Sequence, residues 1–156
     1  MPKRLNNEHL PQKIRSIKEQ RSYVMIKPDG VMRGIIGDVL SRIERTGLRI
    51  VAMKMISPSK EQIIAHYPMD DQAWVDRLGK KGYDTFIGAG LDVVEFLGTE
   101  SHSEIGAGVV KGLIDYMTSG PVVCMIVEGI GAIDMMRKLV GATLPCFAEM
   151  GTIRGD

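Results

Sequence analysis

Ser22-Tyr23-Val24-Met25-Ile26-Lys27-Pro28-Asp29-Gly30 is the stretch from which the architecture can be worked out. Ser22 to Ile26 reads as a short buried strand. Pro28 then fixes φ and Asp29-Gly30 favours a turn, so Lys27 leaves the sheet edge at a rigid corner. Beyond it Ile35, Ile36, Val39, Leu40 and Ile43 recur at helical spacing, with Gly47 at the C′ position. Leu48 to Ile56 alternates in part, with Leu48, Ile50 and Ala52 set against Arg49 and Lys54, and reads as a second strand.

Downstream, Ser59-Lys60-Glu61-Gln62 has the form of a capping box and predicts a helix to about His66. Asp70-Asp71 can cap a short helix with Trp74, Val75 and Leu78 on one side. Ile105, Val109, Leu113, Tyr116 and Met117 make a further helical stripe, and Thr118-Ser119-Gly120-Pro121 a turn. Val122 to Val127 is a continuous apolar run of strand length; Ile133, Met136 and Val140 space a last helix ended by Gly141. With residues 68–104 set aside, the order is β-α-β-α-α-β-α and then a loop. One more strand would complete the ferredoxin-like β-α-β-β-α-β plan, an α/β (α+β) fold with an antiparallel sheet and helices on one face. That final strand is expected immediately after Asp156, so the chain is expected to stop inside its domain.

At 156 residues and 17.2 kDa the chain suits one domain. Residues 1–20 mix charges with weak periodicity broken by Pro11 and read as a solvated arm; residues 21–156 read as the domain. Apolar residues at 44% and charged residues at 25% exclude a disordered chain. A net charge of +1 gives no whole-molecule attraction to nucleic acid or to an anionic membrane. No apolar run has the length of a membrane span, and the first twenty residues lack the apolar stretch of a secretory signal. The expected location is the cytoplasm, where Cys124 and Cys146, which form no CxxC pair, stay reduced.

No Gly-x-x-x-x-Gly-Lys-Ser/Thr loop occurs, and Gly88-Ala89-Gly90 and Gly106-Ala107-Gly108 lack the third glycine of a dinucleotide fingerprint. A nucleotide site must therefore be assembled from separate side chains. Lys27 offers a point charge at its turn, and Arg137 and Arg154 offer guanidinium forks that bind phosphate oxygens bidentately. The Thr143 hydroxyl can donate to the same group. Taken singly, each is also an ordinary surface residue.

Together they form a pattern. Ile26-Lys27-Pro28-Asp29-Gly30-Val31 with Arg33-Gly34, the run Arg137-x-x-x-Gly141-x-Thr143-x-Pro145, and Gly151-Thr152-Ile153-Arg154-Gly155-Asp156 resemble the nucleoside diphosphate kinase family over residues 21–67 and 105–156. The resemblance implies ping-pong transfer of a γ-phosphoryl group from a nucleoside triphosphate to a diphosphate through a phosphohistidine. It implies that Lys27, Arg137, Thr143 and Arg154 hold the nucleotide phosphates, and that Mg²⁺ is carried by those phosphates without a protein metal site. Tyr67, after His66, matches a tyrosine beside the catalytic histidine. Val109 and Leu113 fall where the family holds the base, with Val109 in place of a stacking aromatic.

The nucleophilic histidine is expected beyond Asp156, so no catalytic residue is assigned and His9, His66 and His102 carry none of the chemistry. A chain ending there should bind nucleotide weakly and not turn over. Partners implied are nucleoside tri- and diphosphates and further copies of the chain in a homo-oligomer, with no membrane and no specific nucleic acid. Leu144 and Met150 replace the family's usual Asn and Pro at positions that commonly touch neighbouring subunits. Residues 68–104 form a longer segment than the family usually places there, expected to cover the core with its aromatics or to act as a lid or subunit contact. The alternative is a non-catalytic nucleotide-binding or assembly module on the same fold. An RNA-binding reading fails, because Tyr23 is the only aromatic on the expected strands.

Overall fold

The structure is a computed structural model that describes residues 19–156. The expected arm, apart from Glu19 and Gln20, lies outside the described residues. These residues form two compact units, one reaching Met55 and resuming at Val123–Asp156, the other Ile56–Val122.

The first unit is built on three strands, β1 (Glu19–Ile26), β2 (Arg49–Ile56) and β3 (Val122–Ile130), in the order β1-β3-β2. β1 runs antiparallel to β3, with Glu19 opposite Ile130 and Ile26 opposite Val123. As the middle strand, β3 turns Val123, Met125 and Val127 into the core. There they meet Val39 and Ile43 of α2 (Ile36–Arg45) and Ala132 and Met136 of α7 (Ala132–Val140). These helices cover that face of the sheet because their apolar residues recur at helical spacing. Three strands of the expected ferredoxin-like plan are thus present, in an antiparallel arrangement with helices.

On the opposite face Glu128 sits between two arginines from the flanking strands. Arg21 Nε lies 2.6 Å from one carboxylate oxygen and Arg49 Nη2 2.6 Å from the other, while Arg49 also reaches Glu19 at 3.1 Å. Hydrogen bonding from Arg21, followed by the charges of both arginines, holds the Glu128 carboxyl below the usual carboxylate range. The ladder ties all three strands in one register.

Local signals place several boundaries correctly. Gly47 follows the C-cap of α2 with φ +82°, and Ser59 and Gln62 make both hydrogen bonds of the capping box that opens α3 (Lys60–His66). One reading needs correction. Lys27 to Gly30 is not a plain turn: Lys27 is the N-cap of a short helix, α1 (Pro28–Met32). Proline suits the first helical position as well as a turn, because the N–H it lacks would have no partner there. His102 opens α6 (His102–Met117), capped by Ser101.

The second unit holds the long segment, which is more helical than the short helix expected. Asp71 caps α4 (Gln72–Gly88), seventeen residues long, and Asp92 caps α5 (Val93–Leu97). α4 packs on α6 through glycines: a Cβ added at Gly79 would collide with the His102 carbonyl, and one at Gly106 would strike Val75. The two backbones touch where no side chain fits. Gly79→Ala is therefore expected to lower stability by roughly 1–3 kcal/mol, the range for overpacking a close contact. A fall in the urea midpoint without a change in slope checks this; an unchanged midpoint contradicts the contact.

Candidate functional site

The site candidates of the first unit gather at the C-terminal end of α7. Arg137 stands in the last turn of that helix, and Gly141 ends it with φ +81°. A helix end leaves carbonyls without intrahelical donors. Here the donors come from the Gly151–Asp156 turn: Ile153 N–H donates to the Leu139 carbonyl at 2.9 Å and Arg154 N–H to the Val140 carbonyl at 3.1 Å. The Arg154 guanidinium extends the same pattern, with Nη1 donating to the carbonyls of Gly141 at 3.1 Å and Ala142 at 3.4 Å. Gly141 is required for this docking, since a Cβ there would overlap the Thr152 side chain.

Beside this junction lies a cleft of about 520 Å³. Val24, Met25, Ile133 and Met136 give it apolar walls, and Arg137, Thr143 and Arg154 also line it. Lys27, at the end of β1, is partly buried, and it lies within the electrostatic reach of Arg154. Burial first, and the Arg154 charge second, push its ammonium below the usual lysine pKa, with Asp29 opposing. Like charges within each other's field repel, and a neighbouring anion relieves the repulsion. Both Arg154 hydrogen bonds to carbonyls run from Nη1, and its Nε–Nη2 edge has the geometry that meets two phosphate oxygens at once.

The structure thus brings Lys27, Arg137, Thr143 and Arg154 into one region of the first unit. Tyr67, Val109 and Leu113 belong to the second unit. Tyr67 is the C-cap of α3; its ring meets His66 edge-on at 4.8 Å and lies tilted 6.1 Å from Trp74. Burial pushes its hydroxyl above the usual tyrosine pKa. Val109 is exposed and Leu113 half-buried on α6. His66 and His102 also belong to the second unit, and His9 lies outside the described residues.

Sequence reasoning missed Arg42 on α2. It bridges Asp38, at 2.8 Å, and Asp156, at 2.7 Å. The Asp38–Arg42 spacing of four residues signals a helical ion pair; nothing local signals Asp156.

Residues 20–76 and 101–156 match the family model described as Nucleoside diphosphate kinase. The chain belongs to the nucleoside diphosphate kinase family. It is 41% identical over 137 residues to the nucleoside diphosphate kinase of Pyrobaculum aerophilum, covering 88% of this chain and 74% of that one. The Archaeoglobus fulgidus enzyme is 42% identical over 137 residues, covering 88% and 68%. A crystal structure of an NDP kinase from Pyrobaculum aerophilum superposes with a TM-score of 0.82 at 39% identity, over 89% of this chain and 76% of that one. A halophilic nucleoside diphosphate kinase from Halobacterium salinarum, solved in complex with CDP, gives 0.62 at 33% identity, over 89% and 69%. The family match omits residues 77–100, which hold most of α4 and all of α5.

The Lys27 environment sets a pH dependence. A lysine with a depressed pKa loses its charge at lower pH than an ordinary one, and phosphate binding favours the charged form. With Lys27 as the expected phosphate ligand, affinity for ADP in this nucleoside diphosphate kinase should decline with rising pH before the ordinary lysine range is reached. Lys27→Arg, which stays charged, should flatten that decline in calorimetric titrations; an unchanged profile would remove Lys27 from the site.

Proposed function

We propose that Lys27, Arg137, Thr143 and Arg154 form the phosphate cradle of a nucleoside diphosphate kinase, which passes a phosphoryl group from nucleoside triphosphates to nucleoside diphosphates. The observation that carries this reading is the convergence of Arg137, Thr143 and Arg154 on one cleft, with Lys27 in the field of Arg154. Phosphoryl transfer asks little covalent work of a protein beyond its nucleophile. It needs the phosphates held in line and their developing charge neutralised. Two guanidinium groups, one ammonium and one hydroxyl supply that positive field. The phosphohistidine route is the family's, and no histidine of this chain is assigned to it.

Mg²⁺ fits the reading as a passenger on the nucleotide. The cleft side chains are donors and cations, suited to phosphate oxygens and not to a metal. A Mg²⁺ bridging phosphates keeps most of its other positions for water. When bound it would supply further neutralisation of phosphate charge. Tyr67, Val109 and Leu113 are proposed to contact the nucleotide, with Val109 and Leu113 giving the base apolar contact in place of ring stacking. No helix of the described residues is long and apolar enough to cross a membrane, and we take the enzyme to be cytoplasmic.

Self-association belongs to the same proposal. β2 lies at one edge of the sheet, and on the face turned from the core it exposes Val51, Met53 and Met55, with Met53 56% exposed. A flat apolar edge strand is a template for pairing with another chain. β2 is accordingly proposed as the contact between copies in a homo-oligomer.

Arg154→Ala and Arg137→Ala should each weaken ADP binding about ten- to a hundredfold, the worth of a hydrogen bond to a charged group, and leave adenosine binding unchanged. Incubating the full-length protein with γ-labelled ATP should give acid-labile, base-stable label on the protein; phosphate affinity without such label would mean a binding module and not an enzyme. Met53→Lys should shift sedimentation to a smaller species, and an unaltered profile would exclude the β2 contact.

A further inference from the structure

Arg154 can bind phosphate only if the turn that carries it keeps its place, and its backbone anchors on α7 hold only the middle of that turn. The ends are held otherwise. Asp156 closes the turn on itself, one carboxylate oxygen accepting from Gly151 N–H at 2.9 Å. Its second oxygen receives Arg42 Nη1 at 2.7 Å, and the same nitrogen lies 3.4 Å from the Gly151 carbonyl. Arg42 is in turn oriented by Asp38, one helical turn earlier on α2, which accepts from Nε at 2.8 Å. Both ends of the turn therefore meet at a single guanidinium on a helix whose Val39 and Ile43 are core residues. The Arg42 side chain is itself partly buried, at 24% exposure.

We infer that Arg42 is a positioning residue for the phosphate site: through Asp156 it fixes the Gly151–Asp156 turn and so the direction in which Arg154 presents its free edge. This inference rests on the phosphate-site reading above. Arg42 touches no substrate in it. Its effect passes through one carboxylate, and Asp38 keeps its fork turned towards that carboxylate. The hydrogen bonds to Gly151 and Arg42, in that order, hold the Asp156 carboxyl below the usual aspartate range, in keeping with a clasp that stays ionised.

The test compares Arg42→Met, Asp156→Asn, the double variant and Arg42→Lys in the full-length protein, with Arg154→Ala as reference. Titration with ADP and with adenosine separates phosphate binding from base binding. Arg42→Met should raise the Kd for ADP about three- to tenfold, a coupling typical of residues in one hydrogen-bonded network, and leave the Kd for adenosine unchanged. The double variant should be no worse than either single one, and Arg42→Lys should recover part of the loss. Amide exchange needs no ligand: residues 151–156 should lose protection in Arg42→Met and Asp156→Asn while the strands keep theirs. Unchanged ADP affinity, additive losses in the double variant, or unchanged protection of the turn would each overturn the inference. Should Arg42→Met fail to fold, Asp156→Asn and Arg42→Lys decide the same question. If Arg154→Ala leaves ADP binding intact, the phosphate-site reading falls, and the exchange data still say whether Arg42 holds the turn.

Discussion

Helices end in carbonyl groups that need donors, and the way α7 meets that need organises the proposed site. Its last carbonyls receive no help from capping side chains within the helix. The Leu139 and Val140 carbonyls are met by the amides of Ile153 and Arg154, and the Gly141 and Ala142 carbonyls just beyond by the Arg154 guanidinium. This requirement draws the final turn of the chain against α7 and seats Ile153 beside the core. It also sets a cationic side chain next to Arg137 and Thr143.

The sheet supplies the rigid side of this arrangement. β3 is covered on both edges by neighbours and sends Val123, Met125 and Val127 inward, so α2 and α7 share one apolar floor. Burying side chains of this kind contributes roughly 1.5–3 kcal/mol each. The Glu128 ladder on the other face adds less, since its arginines are well exposed and solvent screens them. Its worth lies in register: Arg21 and Arg49 reach the same carboxylate only if neither flanking strand slips.

Whatever depended on local pattern was legible in the sequence. The strands, α2 with Gly47 behind it, the Ser59 box and the Gly141 stop all follow from neighbours within one turn. The Pro-Asp-Gly run was ambiguous because proline's fixed φ serves both a turn and a helix start. The length of α4 was hidden by Gly79 and Gly82, which lower helix propensity in isolation and make sense only against α6. Arg42 was illegible for a related reason: its Asp156 partner lies far along the chain, and only folding joins them. Of the candidate site, Lys27, Arg137, Thr143 and Arg154 had a physical rationale in the residues themselves. Tyr67, Val109 and Leu113 rested on family resemblance alone.

Arg154 caps a helix end and is also the proposed phosphate ligand. A long, flexible cation on a surface samples many rotamers, and a ligand that captures it must suppress about 2 kcal/mol of that freedom. Here carbonyls at the helix terminus already engage the guanidinium in the folded protein, without any nucleotide. The entropy of immobilisation is thus charged to the stability of the fold, and at the proposed site an encounter with a phosphate would start from a preorganised fork.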